Sequence, residues 1–181
     1  MISLINLLKE NSQSTYDYSC AMIYFNFPDM GKLHNQIQPE DIYTEEGDKT
    51  FGLEDEPHTT LLYGLHKEVT LDDVKEVLDK YQFGPCRIYN ASLFENEKYD
   101  VLKFDVKAEI LHDVNKDLKQ LPFTSNFPDY HPHMTIGYLK PGTGKKYVKI
   151  FKAIEYELQP QYGVYSQGNG QKDKIKIETI K

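Results

Sequence analysis

Short hydrophobic runs recur along the chain, separated by polar segments and by two stretches of helical periodicity. Strands are predicted where aromatic and β-branched residues concentrate, or where apolar and polar residues alternate. By this criterion the predicted strands are residues 19–27, 58–65, 86–94, 101–107, 132–139, 154–166 and 174–180. The last two are expected to form a hairpin over the turn at residues 168–170.

Two helices are predicted from apolar residues that recur at three- and four-residue spacing. The first begins at Thr70, which has the spacing of a capping box with Asp73, and it ends at Gly84-Pro85. The second covers residues 109–121. Residues 29–57 are polar and weakly patterned, so we interpret them as a long loop of a kind that is often functional. Two helices on a largely antiparallel sheet predict an α+β fold.

Length, composition and charge favour one soluble domain with a small ligand. The 181 residues contain no linker, and we expect a single domain over residues 1–181 with two related lobes. No apolar run reaches the ~20 residues of a membrane span, and a signal peptide is not recognisable. We expect a cytoplasmic protein with Cys20 and Cys86 as reduced thiols. A net charge of -7 disfavours the binding of long nucleic acid, so a small phosphorylated ligand is expected.

One short motif occurs twice, as H-x-T-(L/I)-x-Y at residues 58–63 and 133–138. Side chains two apart on a strand share a face, so each His should point the same way as its Thr. If the lobes are symmetric, the two pairs converge on one cleft. The opposite face is mainly apolar and is expected to lie in the core; it comprises Thr59, Leu61 and Tyr63 in the first copy and Met134, Ile136 and Tyr138 in the second.

Two histidines and two hydroxyls suit the cleavage of a phosphodiester. With a pKa near ~6.5, one imidazole can act as base and the other as acid. The hydroxyls of Thr60 and Thr135 can donate to phosphate oxygens, so neither a metal nor a cofactor is required. A single His-x-Thr is commonly structural, and it is the matched second copy that favours catalysis by His58 and His133. A metal dyad of His131 and His133 is the alternative, but acidic or Cys partners at ligand spacing are absent.

Substrate contacts are predicted less directly. A run of lysines after the second motif, including Lys145, is either a phosphate-attracting rim or an ordinary solvated face. Tyr24 could stack on a base, as could Tyr16 and Tyr18, although core or rim packing is the simpler interpretation. Glu155 lies in the predicted closing strand and could bind the edge of a base.

The two motifs resemble the paired H-x-[ST]-φ motifs of the two-histidine (2H) phosphoesterase superfamily. The resemblance implies a bilobal α+β fold with a central cleft, and it assigns the catalytic positions to His58, Thr60, His133 and Thr135. The predicted order of strands and helices agrees with that family over nearly the whole chain. Specific sequence similarity to the family is confined to the two motifs.

A narrower resemblance concerns phage-encoded 2H proteins, and it depends on residues 56–64 and 133–147. These proteins include anti-CBASS nucleases, which degrade cyclic di- and trinucleotides of bacterial immunity. The implied function is a metal-independent phosphodiesterase for such messengers. Two alternatives stay open: an RNA-processing enzyme that opens 2′,3′-cyclic phosphates, and a module that binds nucleotides without catalysis.

Overall fold

Two four-stranded antiparallel sheets frame the molecule in a computed structural model that describes residues 18–180. The first sheet has the order β2-β1-β8-β9, formed by β1 (Ser19–Phe25), β2 (His58–Leu65), β8 (Pro160–Ser166) and β9 (Lys172–Ile175). The second has the order β6-β5-β4-β7, formed by β4 (Cys86–Glu95), β5 (Asp100–Lys107), β6 (His133–Leu139) and β7 (Tyr156–Leu158). Two short strands, β3 (Gln82–Phe83) and β10 (Glu178–Thr179), pair in parallel. The predicted α+β class with largely antiparallel sheets is confirmed.

Both predicted helices are present and shorter than expected. The first, α2 (Leu71–Leu78), begins with the predicted capping box, in which Thr70 and Asp73 exchange side-chain to backbone hydrogen bonds. The second, α3 (Glu109–Leu118), buries Leu111, Val114 and Leu118. Two further helices were not predicted: α1 (Met30–His34) and α4 (Gly144–Phe151). The hairpin turn is confirmed, since β8 and β9 pair on either side of it. The predicted strands 154–166 and 174–180 are wrong as continuous strands, because β7 and β10 separate from them and pair in other sheets.

One hydrophobic core receives side chains from both sheets. Leu61 of β2 and Ile136 of β6 are fully buried in it, together with Val74 and Leu78 of α2. The apolar faces of the two motif strands are therefore packed against helices, as the sequence predicted. This packing leaves the opposite faces of the two sheets for the polar side chains of the motifs.

Each motif strand is an edge strand, and the loop that leads to the other motif covers its outer edge. In β2, the Gly64 carbonyl accepts from the Thr124 amide (2.9 Å), and Thr124 belongs to the loop before β6. In β6, Tyr138 donates its amide to the Gly52 carbonyl (2.8 Å), and Gly52 belongs to the loop before β2. This exchange holds the two motif strands side by side.

Candidate active site

The two His-x-Thr motifs occupy equivalent positions in their sheets. His58 lies opposite Tyr24 on the neighbouring strand, and His133 lies opposite Asp105. Directly after each Thr the pairing shifts, so that Leu61 and Ile136 are the extra residues of two β-bulges. The burial pattern is the same along both strands, with the His and Thr half-buried and the bulge residue buried. The repeat in the sequence is therefore a repeat in structure.

The bulges correct one prediction about the faces of the motif strands. Strict alternation placed Tyr63 and Tyr138 on the core face, and this was wrong. An extra residue in a strand shifts the alternation by one, so the side chains beyond it change faces. Tyr138 now pairs with Val101 and shares the face of Thr135, while Tyr63 pairs with Cys20. Both tyrosines are half-buried and lie outside the main core.

Both motif imidazoles are oriented by the same hydrogen bond. The Nδ1 atom of His58 lies 2.7 Å from the Glu56 carbonyl, and that of His133 lies 2.9 Å from the His131 carbonyl. A carbonyl only accepts, so Nδ1 must carry the hydrogen in each ring. The Nε2 atom is then the nitrogen that can accept a proton from the neutral ring or release one from the charged ring. His131, once a candidate metal ligand, contributes its backbone to this arrangement.

The two imidazoles are close enough to influence each other. Burial lowers the pKa of His133 below its ordinary value, while the hydrogen bond to the His131 carbonyl opposes this shift. The nearby charges of Lys103 and His58 lower the pKa of His133 further, and that of Asp105 raises it. Strands β2 and β6 belong to different sheets and contact each other, so the two motifs lie on neighbouring parts of the molecule. Convergence of the four motif side chains on one cleft stays a prediction.

On the first sheet, a row of stacked rings extends from His58. Tyr24 stacks on His58 with ring centroids 5.1 Å apart, and Tyr162 stacks on Tyr24 at 5.3 Å. Lys174 Nζ lies 4.3 Å from the centroid of the Tyr162 ring. Because β1 lies between β2 and β8, the two neighbours cover opposite faces of Tyr24, which is only 3% exposed. A base cannot stack on Tyr24 in this arrangement; the ring instead supports His58.

On the second sheet, charged side chains lie beside the second motif. Lys103 lies opposite Thr135, and its ammonium donates to Ser92 Oγ (2.9 Å) and to Asp105 Oδ1 (2.8 Å). Phe94 contacts both the ammonium of Lys103 and the ring of His133. The cleft therefore has an aromatic wall beside His58 and a charged wall beside His133.

Cys20 also lies at the cleft, beside Thr60, but it is not placed to act as a nucleophile. Burial raises the pKa of its thiol to about 12, although a hydrogen bond with Thr60 and the charge of Lys172 act in the opposite direction. The thiol is therefore protonated near neutral pH and unreactive. Cys86 is likewise free and buried, so both cysteines are thiols as expected.

The other predicted substrate contacts lie away from the two histidines. Lys145 is exposed on α4, and its side chain pairs with Glu95 (3.0 Å), the last residue of β4. Glu155 forms a bidentate ion pair with Arg87 at the β4–β7 edge of the second sheet. Neither side chain is brought to the motifs. Tyr18 packs against Tyr63 and His66, and Tyr16 lies outside the described residues.

Several cleft residues were missed by the sequence analysis. The most important are Lys103, Ser92, Tyr162 and Lys174, which come from strands far from either motif in sequence. The alternation of residues 101–107 did place Lys103 on the polar face of its strand. That signal identified the face, but the partner strand and its register could not be deduced from it.

The described part of the chain contains neither a metal-binding cluster nor a membrane-spanning helix. Among residues 18–180, no group of three or more His, Cys, Asp or Glu side chains could hold a metal ion. Over the same residues, no helix is both long enough and apolar enough to cross a membrane.

Comparison with known proteins gives similarity in fold alone. No protein-family model and no curated protein matches the sequence. Kluyveromyces marxianus Usb1 is similar at 7% identity, with a TM-score of 0.59 over 90% of this chain and 99% of that chain. The same protein with uridine monophosphate has a TM-score of 0.56, at 6% identity and the same coverage. Escherichia coli LigT complexed with 3′-AMP is 14% identical, with a TM-score of 0.46 over 89% and 96% of the two chains.

The fold similarity agrees with the resemblance found in the motifs. Usb1 is a member of the 2H phosphoesterase superfamily. At such low identity, the similarity to Usb1 shows that this chain has a 2H phosphoesterase-like α+β fold.

Proposed function

We propose that the chain is a phosphodiesterase that cleaves a small nucleotide phosphodiester with His58 and His133 as its acid–base pair. The observation that carries the proposal is the matched pair of motifs on β2 and β6, edge strands of two sheets that contact each other, with both imidazoles oriented through Nδ1 to a backbone carbonyl. An orienting bond that fixes the tautomer is what a histidine needs in order to transfer protons at Nε2. A lone structural histidine has no need of an equivalent partner in the neighbouring strand.

The proposed reaction requires two proton transfers around one phosphorus atom. The neutral imidazole accepts the proton of a water molecule or a ribose 2′-hydroxyl, whose oxygen forms the new P–O bond. The other imidazole, which is protonated, gives its proton to the oxygen that leaves as the old P–O bond breaks. Thr60 and Thr135 donate hydrogen bonds to the nonbridging oxygens, where negative charge increases in the transition state. The protein's own groups complete the proton balance.

The substrate we propose is a cyclic di- or trinucleotide messenger of bacterial CBASS immunity, degraded in the cytoplasm of a host cell by a phage-encoded protein. The narrower sequence resemblance supports this choice, as does the net charge of -7, which disfavours a long polyanion. The wall of the cleft beside His58 also supports it, since Tyr162 and Lys174 combine a ring with a cation. Usb1, whose fold is similar, is known in complex with a single nucleotide, uridine monophosphate.

A substrate panel tests the proposal. The wild-type protein is incubated in excess EDTA with cyclic dinucleotides, cyclic trinucleotides and an RNA that ends in a 2′,3′-cyclic phosphate. Products are separated by chromatography, and His58→Ala serves as the matched control. We expect cleavage of a cyclic oligonucleotide by the wild type only.

The other outcomes of the panel separate the alternatives. Cleavage of the RNA alone would identify an RNA-processing enzyme. Nucleotide binding without cleavage by the wild type would identify a module that only binds. Activity that EDTA abolishes and a divalent ion restores would contradict the proposed chemistry and return attention to His131 and His133 as ligands.

A further inference from the structure

Lys103 is a buried cation next to the second motif. Its residue is only 8% exposed, whereas lysines are rarely buried without a partner. The ammonium is held in place by hydrogen bonds to Ser92 Oγ (2.9 Å) and Asp105 Oδ1 (2.8 Å), and it lies 4.7 Å from the centroid of the Phe94 ring. Burying a charge is costly, so a fixed ammonium at this position suggests a specific use.

The position of Lys103 is close to both side chains of the motif. It pairs across the strands with Thr135, and the next cleft-facing residue of β5, Asp105, pairs with His133. Phe94 lies between the cation and the imidazole, since its ring is 5.0 Å from the ring of His133 in an edge-to-face contact. The buried setting lowers the screening of the ammonium by water, so its charge acts on His133 more strongly than an exposed lysine would.

The first motif has no equivalent cation at this position. Met22 occupies the place opposite Thr60 that Lys103 occupies opposite Thr135. On that sheet Lys172 comes from β9 and is bound to Glu56 (2.8 Å) and to the hydroxyl of Tyr24 (3.3 Å), not placed opposite the Thr of the motif. Two motifs that match in their strands, bulges and imidazole contacts therefore differ in the charge placed beside them.

We propose that Lys103, fixed opposite Thr135 and joined to His133 through Phe94, is a positioning residue that makes His133 the general base and His58 the general acid. The inference rests on the proposed function for the meaning of these two roles. Burial is the largest cause of the lowered pKa of His133. Three charged or titratable groups also face it: Lys103 and His58 favour the neutral ring, and Asp105, which is bound to Lys103 and Asn90, favours the charged ring less strongly.

The assignment of the base and acid roles to His133 and His58 follows from the charge beside His133. A base must be neutral before it can accept a proton, and a cation beside His133 favours that state at neutral pH. With His133 as the base, His58 is the imidazole left to act as the acid, and its cross-strand neighbour is Tyr24. The acidic limb of the pH–rate profile then reports His133, and it is expected to lie below the ordinary histidine value of ~6.5.

The test is a titration of His133 in the resting protein, followed by NMR of its imidazole nuclei. Lys103→Met should move the midpoint of His133 upward, because the group that disfavours the imidazolium is gone. Lys103→Arg retains the charge and should leave the midpoint near the wild-type value. Lys107→Met removes an exposed lysine from the same strand and should leave it unchanged. If Lys103→Met does not fold, Lys103→Gln removes the charge and keeps a donor for Ser92.

Kinetics provide the second measurement. With the substrate that the panel identifies, Lys103→Met should shift the acidic limb of the kcat profile to higher pH and lower kcat below that limb by about tenfold for each pH unit of the shift. A raised KM with an unmoved profile would show that Lys103 only attracts the phosphate, and would overturn the proposal. An unchanged His133 midpoint in Lys103→Met, or an equal shift in Lys107→Met, would do the same. The titration of His133 needs no substrate. It therefore tests the effect of Lys103 on His133 even if the substrate panel shows no cleavage.

Discussion

Replacing Gly64 by alanine tests how the first motif strand is held. Gly64 lies in β2, six residues after His58, at a φ of +95° that L side chains rarely adopt. A Cβ at this position would lie 1.9 Å from the carbonyl oxygen of Thr124, which belongs to the loop before the second motif. The obstacle is backbone, so no side-chain rotation can relieve it.

The expected cost has two parts. Alanine at positive φ costs about 1–3 kcal/mol by itself. To reach the 3.4 Å at which ordinary contacts begin, Thr124 must also retreat by about 1.5 Å, the difference between 3.4 and 1.9 Å. That movement breaks the 2.9 Å hydrogen bond between the Thr124 amide and the Gly64 carbonyl. Leaving such groups without partners adds about 1–3 kcal/mol. The sum of about 2–6 kcal/mol is a large fraction of the stability of a typical domain.

Gly170→Ala is the matched control, because Gly170 has a similar φ of +88° and no atom within 4 Å of its added Cβ. The free energies of unfolding of both variants and the wild type are measured by urea denaturation. Gly170→Ala should lose only the conformational part, and Gly64→Ala should lose clearly more. Equal losses of unfolding free energy in the two variants would show that the Thr124 loop does not cover β2. The description of each motif strand as covered by the loop that leads to the other motif would then be wrong.

Three further predictions concern single groups. Thr60→Val and Thr135→Val should each lower kcat by up to about 10²–10³-fold through loss of one donor to the phosphate, and should leave the pH–rate profile in place; a shifted profile would argue against that role. Thr70→Ala should cost about 1 kcal/mol of unfolding free energy in urea, because it removes the capping box of α2, and an unaffected midpoint would contradict the cap. The pKa values of His34 and His133 are lowered mainly by burial, so the folded protein resists protonating them. Stability should therefore fall as pH drops below ~6.5, and His34→Gln should reduce that slope; an identical slope would count against burial of His34 as a cause.

Local patterns predicted the elements that build the site. The strand at residues 58–65 has the predicted bounds, and the capping box of Thr70 and Asp73 is formed as its spacing indicated. These features depend on neighbours a few residues apart, which a sequence displays directly. Helix α4 was not predicted because its lysines were interpreted only as a charged surface. Tyr147 and Phe151 nevertheless have the four-residue spacing of a buried helix face.

Features that depend on pairing between distant strands could not be predicted. The bulge at Leu61 appears only when β2 is aligned with β1, and it moves Tyr63 to the other face. The pairing of Lys103 with Thr135 depends on the register of β5 against β6 in the same way. Strand register is set by packing of the whole sheet, so these contacts are absent from any local window of the sequence.

The central claim is that two imidazoles transfer the protons, and the turnover of histidine variants tests it most directly. His58→Ala and His133→Ala are compared with the wild type and the double variant, across pH, on the phosphodiester that the wild type cleaves fastest. The wild type should give a bell-shaped profile, and each single variant should lose about 10²–10⁴-fold in kcat. The double variant should lose little more than the worse single variant, because the pair works as a unit. Near wild-type turnover by either single variant would contradict the claim and leave both motifs with a purely structural role.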